Sequence, residues 1–150
     1  MASVSPPTSA TPLRTPRIVL AEDDASLREL LASALEYEGY DVVQATTGNE
    51  LIDHIRGATG SGDNVDLVVS DVRMPTLSGL AVLKLLRDAE LDVPVILITA
   101  FSDVWTRREA GEHGAILLDK PVSLRTLRSE VAKALRHPPG ASVELAKHSE

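Results

Sequence analysis

Five short apolar runs, each followed by a segment with helical hydrophobic spacing, constrain this chain more than any other feature. The runs occupy residues 18–21, 42–45, 66–70, 93–98 and 115–118. Short apolar runs of this kind suit strands covered on both faces. After the first run, Leu27, Leu30, Leu31, Ala34 and Leu35 recur at i, i+3, i+4, i+7 and i+8, one face of an amphipathic helix. Leu51, Ile52 and Ile55 mark a second helix, Val82, Leu83 and Leu86 a third. Leu124, Leu127, Val131, Ala134 and Leu135 mark a fifth. The fourth, about residues 103–110, carries Trp105, Arg107 and Arg108 but few apolar anchors. Strands alternating with helices imply parallel pairing and right-handed crossovers. The expected fold class is α/β: a three-layer doubly wound (βα)5 sandwich with a parallel five-stranded sheet of order 2-1-3-4-5. Its crevice lies between strands 1 and 3, beyond their carboxyl ends.

Local signals fit this order. Asp24, or Ser26 with Glu29, caps the first helix; Thr47 with Glu50 forms a capping-box signal for the second. Ser78 and Ser123 cap the third and fifth. Gly39 fits a left-handed helix stop. Residues 57–62, with Gly at both ends, read as a flexible connection, and Pro138-Pro139-Gly140 stops the last helix. Residues 1–16, with four Pro and many Ser, Thr and Ala, read as a disordered leader. Residues 17–137 form the domain, and 138–150 a flexible tail.

Composition narrows the function. The residues are 43% hydrophobic, with one Trp, two Tyr and one Phe, so no aromatic platform for single-stranded nucleic acid is available. A formal net charge of −7 argues against phosphate-backbone binding by this domain alone. Without Cys there is neither disulfide nor thiolate metal site. No apolar run approaches the roughly 20 residues of a membrane span, and the N-terminus lacks a signal peptide's apolar core. The expectation is a cytoplasmic protein that does not engage membranes.

The polar residues at the strand ends carry the chemistry. Strand 1 ends at Glu22 and Asp23, strand 3 at Asp71, strand 4 at Thr99 and strand 5 at Lys120. The 2-1-3-4-5 order makes these tips neighbours. Three close carboxylates raise one another's pKa, and a hard, partly hydrated cation such as Mg²⁺ removes the conflict. A carboxylate can attack phosphorus; a lysine and a hydroxyl can hold phosphoryl oxygens. Phosphoryl transfer depends mostly on such positioning.

At these residues the chain resembles the receiver domain of two-component response regulators. The resemblance rests on Glu22-Asp23, Asp71 with Met74-Pro75 and Gly79, Thr99-Ala100, and Lys120-Pro121, and covers roughly residues 16–137. It implies that Asp71 is the phosphoacceptor and that Thr99 and Lys120 bind the phosphoryl group. Mg²⁺ would sit on Asp71, Asp23, the Arg73 carbonyl and, mainly through water, Glu22. The Lys120-Pro121 bond would be cis. The partner would be a histidine kinase or histidine phosphotransfer protein docking near the first helix. The output would pass through the face of helix 4, strand 5 and helix 5 to a downstream protein or output domain, with a homodimer left open. The chain would be a signalling switch and not a turnover enzyme. Two rival readings stand beside it: a degenerate receiver that binds partners without phosphorylation, and an enzyme on the same scaffold, such as a phosphatase or hydrolase with an aspartyl intermediate, for which no spare segment could form a cap.

Several positions depart from the family pattern. Glu22 stands where Asp is usual, and Leu117 where the switch residue is usually aromatic. Arg73 and Phe101, two residues beyond Asp71 and Thr99, offer no carboxamide or carboxylate to orient water, so a long-lived phosphate is expected. Plainer readings stand beside the functional ones. Glu22, Asp23 and Asp24 could be a capping cluster, Thr99 a strand-end hydroxyl and Lys120 a surface lysine. Trp105 reads first as a packing residue, with a partner anchor as its alternative. Arg125, Arg128, Lys133 and Arg136 read as a solvated face, with an interaction patch as theirs. His54, His113, His137 and His148 show no metal spacing and are expected at exposed positions.

Overall fold

The computed structural model describes residues 15–61 and 64–136. The expected leader, apart from Thr15 and Pro16, and the expected tail lie outside them. Ten elements alternate: β1 (Arg17–Ala21), α1 (Ala25–Tyr37), β2 (Asp41–Ala45), α2 (Gly48–Ser61), β3 (Leu67–Asp71), α3 (Gly79–Asp88), β4 (Val95–Thr99), α4 (Val104–Glu112), β5 (Ile116–Asp119) and α5 (Leu124–Arg136). The strands form one sheet in the order β2-β1-β3-β4-β5, all pairs parallel. The expected fold class and strand order are both observed.

Strand residues alternate between the two faces, and each face has its own core. Val19, Ala21, Val68, Val95 and Leu97 pack with Leu51, Ile55, Val82, Leu83, Leu86 and Ala110 from α2, α3 and α4. Ile18, Leu20, Leu67, Val69, Ile96 and Ile98 pack with Leu31, Ala32, Leu35, Leu127, Val131 and Ala134 from α1 and α5. Both faces of β1, β3 and β4 are therefore apolar. This explains why those strands read as continuous runs and not as alternating ones.

Three helices end in the same way. After α1, Gly39 at φ 101° lets its own N–H reach Glu36 O and the Tyr40 N–H reach Leu35 O. After α4, Gly114 at φ 74° repeats the pattern, with Ala115 N–H on Ala110 O. After α3 the bonds recur, Glu90 to Arg87 and Leu91 to Leu86, but Glu90 holds the left-handed position at φ 61°. A side chain there is strained by about 1–2 kcal/mol, while Gly gives back about 0.5–1 kcal/mol in chain entropy. Glu90→Gly should therefore raise stability by about 0.5–1 kcal/mol, read as a higher urea midpoint at unchanged slope. A lowered midpoint would show that the Glu90 side chain contributes more than its backbone loses.

Some expectations need correction. The stretch 57–61 is not a flexible connection, because α2 continues to Ser61, while Gly62 lies outside the described residues. An interior Gly weakens a helix by only about 1 kcal/mol, too little to end one packed against the sheet. The helix α4 runs two residues further than expected, and Trp105 is not a packing residue, being 62% exposed. Ala110 alone is buried in that helix, so the indole faces outward. His113 is half-buried, its Nδ1 3.0 Å from Glu109 O. His54 is exposed as expected, while His137 and His148 lie outside the described residues. On α5, Arg125, Lys133 and Arg136 are exposed and Arg128 pairs with Glu38 of α1.

One clamp had no signal in the sequence. The half-buried Arg87 guanidinium donates to His113 O at 2.8 Å, Leu91 O at 2.8 Å and Val93 O at 2.9 Å. It ties the end of α3 to the next loop and to the C-terminal cap of α4. Burial depresses its pKa, and the nearby Asp92 charge works the other way. Lys84 of α3 pairs with Glu109 of α4 beside it.

Candidate functional site

Parallel pairing sends all five strand ends to one edge of the sheet, and backbone bonds carry the ladder slightly beyond the strands. Glu22 N–H donates to Ala45 O at 3.1 Å, Val72 N–H to Ile98 O at 2.8 Å and Lys120 N–H to Thr99 O at 2.7 Å. The residues at the tips are thus held nearly as firmly as strand residues. Glu22 is 2% exposed, Asp71 6% and Thr99 0%, the charged or polar ends of otherwise apolar runs.

The loop after β3 is shaped by close approach. Ser70 Oγ donates to Asp71 O at 2.9 Å, and Gly79 N–H to Val72 O at 2.9 Å. A Cβ on Gly79 would collide with the Asp71 carbonyl and Ser70 Oγ, so the first turn of α3 closes against this loop only with glycine there. Ser78 caps α3 by accepting from Ala81 N–H. On the other side, Asp24 caps α1 through Leu27 N–H, which decides between the two capping alternatives. The Thr47 hydroxyl accepts from Glu50 N–H, while the Glu50 carboxylate accepts from Thr46 N–H, one residue beyond the expected box. Ser123 caps α5 through Thr126 N–H.

The charged groups converge. Glu22, Asp23 and Asp71 each offer a carboxylate oxygen, all within 4.8 Å of one another. Lys120 Nζ lies 3.0 Å from Asp71 Oδ2 and 3.2 Å from Glu22 Oε1, and the Lys120-Pro121 peptide is cis. Burial raises the Glu22 pKa, and the Asp71 charge adds to this, against the Asp24 N–H and Lys120. Burial alone would lower the Lys120 pKa, but its bonds and charge contacts with Asp71 and Glu22 outweigh that and raise it. Arg73 joins the group through its backbone N–H, 3.3 Å from Asp71 Oδ1. The Thr99 hydroxyl accepts from Phe101 N–H at 3.1 Å and lies 3.3 Å from Phe101 O.

All six residues expected from sequence, Glu22, Asp23, Asp71, Arg73, Thr99 and Lys120, therefore fall at one edge. Two supporting residues escaped the sequence reading. Arg28 donates from Nη1 to Glu22 O at 2.9 Å and from Nε to Gln44 Oε1 at 3.1 Å; a solvent-face arginine on an amphipathic helix gives no warning of this. Ser70 had a signal, a hydroxyl inside an otherwise apolar run.

The family model for the response regulator receiver domain matches residues 18–132. The chain belongs to the response regulator receiver family. Among curated relatives, the response regulator MprA of Mycolicibacterium vanbaalenii is 37% identical over 121 residues, covering 80% of this chain and 50% of that protein. The transcriptional regulatory protein ZraR of Escherichia coli is 35% identical over 121 residues, covering 80% of this chain and 26% of that one. The chain thus spans half of one relative and about a quarter of the other. Among solved structures, the signal receiver domain of a putative LuxO repressor from Vibrio parahaemolyticus superposes with a TM-score of 0.75 at 29% identity, covering 82% of this chain and 92% of that one. The non-phosphorylated HemR receiver domain of Leptospira biflexa gives 0.72 at 31% identity, covering 81% and 94%. As a receiver domain of two-component signalling, the chain carries its acid cluster on the sheet edge that the strand order selects. No helix among the described residues is long and apolar enough to cross a membrane.

Proposed function

We propose that this receiver domain is a phosphorylation switch in which Asp71 takes a phosphoryl group from a phosphohistidine of a kinase or phosphotransfer protein. The observation that carries this reading is the contact of Lys120 with Asp71 at 3.0 Å inside the three-carboxylate cluster. The donor set is all oxygen, with Glu22 buried and Asp23 facing solvent, which fits a hard cation that keeps several waters. Glu22, Asp23, Asp71 and the Arg73 carbonyl would hold Mg²⁺, whose charge screens both reactants. An Asp71 carboxylate oxygen attacks phosphorus; the P–N bond breaks, and its electron pair leaves on the imidazole nitrogen. Lys120 moves from carboxylate to phosphoryl oxygen as a point charge, and the Thr99 hydroxyl turns from the Phe101 backbone to a second oxygen.

Acetyl phosphate with Mg²⁺ tests this without a partner. Intact mass should show one phosphoryl adduct on the wild-type chain and none on Asp71→Asn. With only Arg73 and Phe101 at the positions beyond Asp71 and Thr99, the adduct should outlast repeated buffer exchange. An unmodified wild-type chain would sink the reading and favour the phosphorylation-independent binding module. The downstream partner is proposed to meet the face of α4, β5 and α5, where Val104 and Trp105 are 73% and 62% exposed.

A further inference from the structure

The loop between β4 and α4 is tied at several points, and one tie leads directly to the acid cluster. Thr99 holds the Phe101 backbone. Ser102 Oγ donates to Asp119 Oδ1 at 2.7 Å, next to Lys120. Asp103 caps α4 by accepting from Thr106 N–H at 2.7 Å. Across this loop lies the Arg73 guanidinium, 5.7 Å from the centroid of the Phe101 ring. The bond from Thr106 N–H does most to keep Asp103 ionised, and the Arg73 charge adds to it. One side chain thus spans the loop that carries Asp71 and the loop that starts α4.

Leu117 brings no aromatic ring to β5, so beyond the Thr99 bond to the Phe101 backbone a second side-chain element is sought that joins Asp71 to the start of α4. We propose that the Arg73–Phe101 stack is that element: a latch that holds the start of α4 in the resting state and is released when Arg73 turns to a phosphoryl group on Asp71. The inference rests on the phosphorylation reading above. A phosphoryl group adds nearly two negative charges and three strong acceptors. Arg73 is anchored within reach, since its own N–H already bonds Asp71. An exposed cation–π contact is weak, whereas an arginine–phosphate pair is charge-assisted and bidentate. The phosphoryl group therefore wins the guanidinium. Phe101 and Asp103 then lose a neighbour together, while Thr99 drops the Phe101 backbone. Both losses fall on the same four-residue stretch at the start of α4.

The chain carries its own reporter, because Trp105 is the single Trp and stands two residues after the Asp103 cap. The experiment follows the Trp105 indole and Thr106 amide resonances of the full chain before and after adding Mg²⁺ with beryllofluoride, a phosphoryl mimic. Acetyl phosphate adducts are weighed in parallel. Phe101→Leu removes the ring face but keeps apolar bulk, and Phe101→Tyr restores a ring. In wild type both resonances should move. In Phe101→Leu the resting positions should already lie near the activated ones, and the response should fall to about a third or less of wild type. Phe101→Tyr should recover it. A full wild-type response in Phe101→Leu, with an adduct present, would overturn the latch. Recovery absent in Phe101→Tyr would do the same. A wild-type chain that forms no adduct and shows no response instead removes the phosphorylation reading beneath it, so the two failures are distinct.

Discussion

Lys120→Ala should bind Mg²⁺ about tenfold more tightly than wild type and yet accept a phosphoryl group about a hundred- to a thousandfold more slowly. The two effects have opposite signs because one ammonium serves two states. At rest it sits 3.0 Å from Asp71 and 3.2 Å from Glu22, where it repels an incoming cation. During transfer it meets charge that develops on phosphoryl oxygens, and no other described lysine lies at these strand tips. Removing it also strips the counter-charge from two buried carboxylates. The variant without Mg²⁺ should therefore lose about 2–3 kcal/mol, less than a fully buried pair because the Lys120 side chain is 21% exposed. Calorimetric Mg²⁺ titration, adduct kinetics and urea unfolding in EDTA read the three quantities separately. A weakened Mg²⁺ affinity would mean that Lys120 shapes the cation site and does not compete for it.

Glu22→Gln should be more stable than wild type in EDTA at pH 7 and should lose most of the stabilisation that Mg²⁺ provides. Saturation at a hundred times the dissociation constant stabilises a binding-competent fold by about 2.7 kcal/mol, so the missing increment is measurable. The cause lies first in burial, which holds the Glu22 carboxyl above its ordinary value of 4.5, and then in the Asp71 charge. The folded state binds this proton more tightly than the unfolded chain does. The stability it contributes is complete below the unfolded pKa and is lost as pH rises through the higher folded value. In the Gln variant, that decline in the metal-free protein should flatten. Equal Mg²⁺ increments in the two proteins would remove Glu22 from the cation site.

The layer order was legible because β1, β3 and β4 are apolar on both faces, and only strands sandwiched between helices need that. The site was legible because each functional group stands where an apolar run stops: Glu22, Asp71 and Thr99 close the buried runs of β1, β3 and β4, and Lys120 comes just after the half-buried aliphatic residues of β5. Short range defeated the reading elsewhere. Gly57 looked like a breaker, yet the packing of Leu51 and Ile55 carries α2 past it. Trp105 looked like core because large aromatic residues usually are, but α4 has just Ala110 turned inward. Arg87, Arg28 and the Arg73–Phe101 stack join residues distant in the chain, and nothing in their local spacing marks them.

The Arg87 clamp bears on how α4 can travel. Its grip on the His113 carbonyl, together with the Lys84–Glu109 pair, fastens the trailing end of that helix to its neighbour. A rod pinned at its far end does not slide; it swings. Displacement should therefore grow from nearly nothing at His113 to its greatest amplitude at Val104 and Trp105, like the free edge of a door hung on one guanidinium and one ammonium.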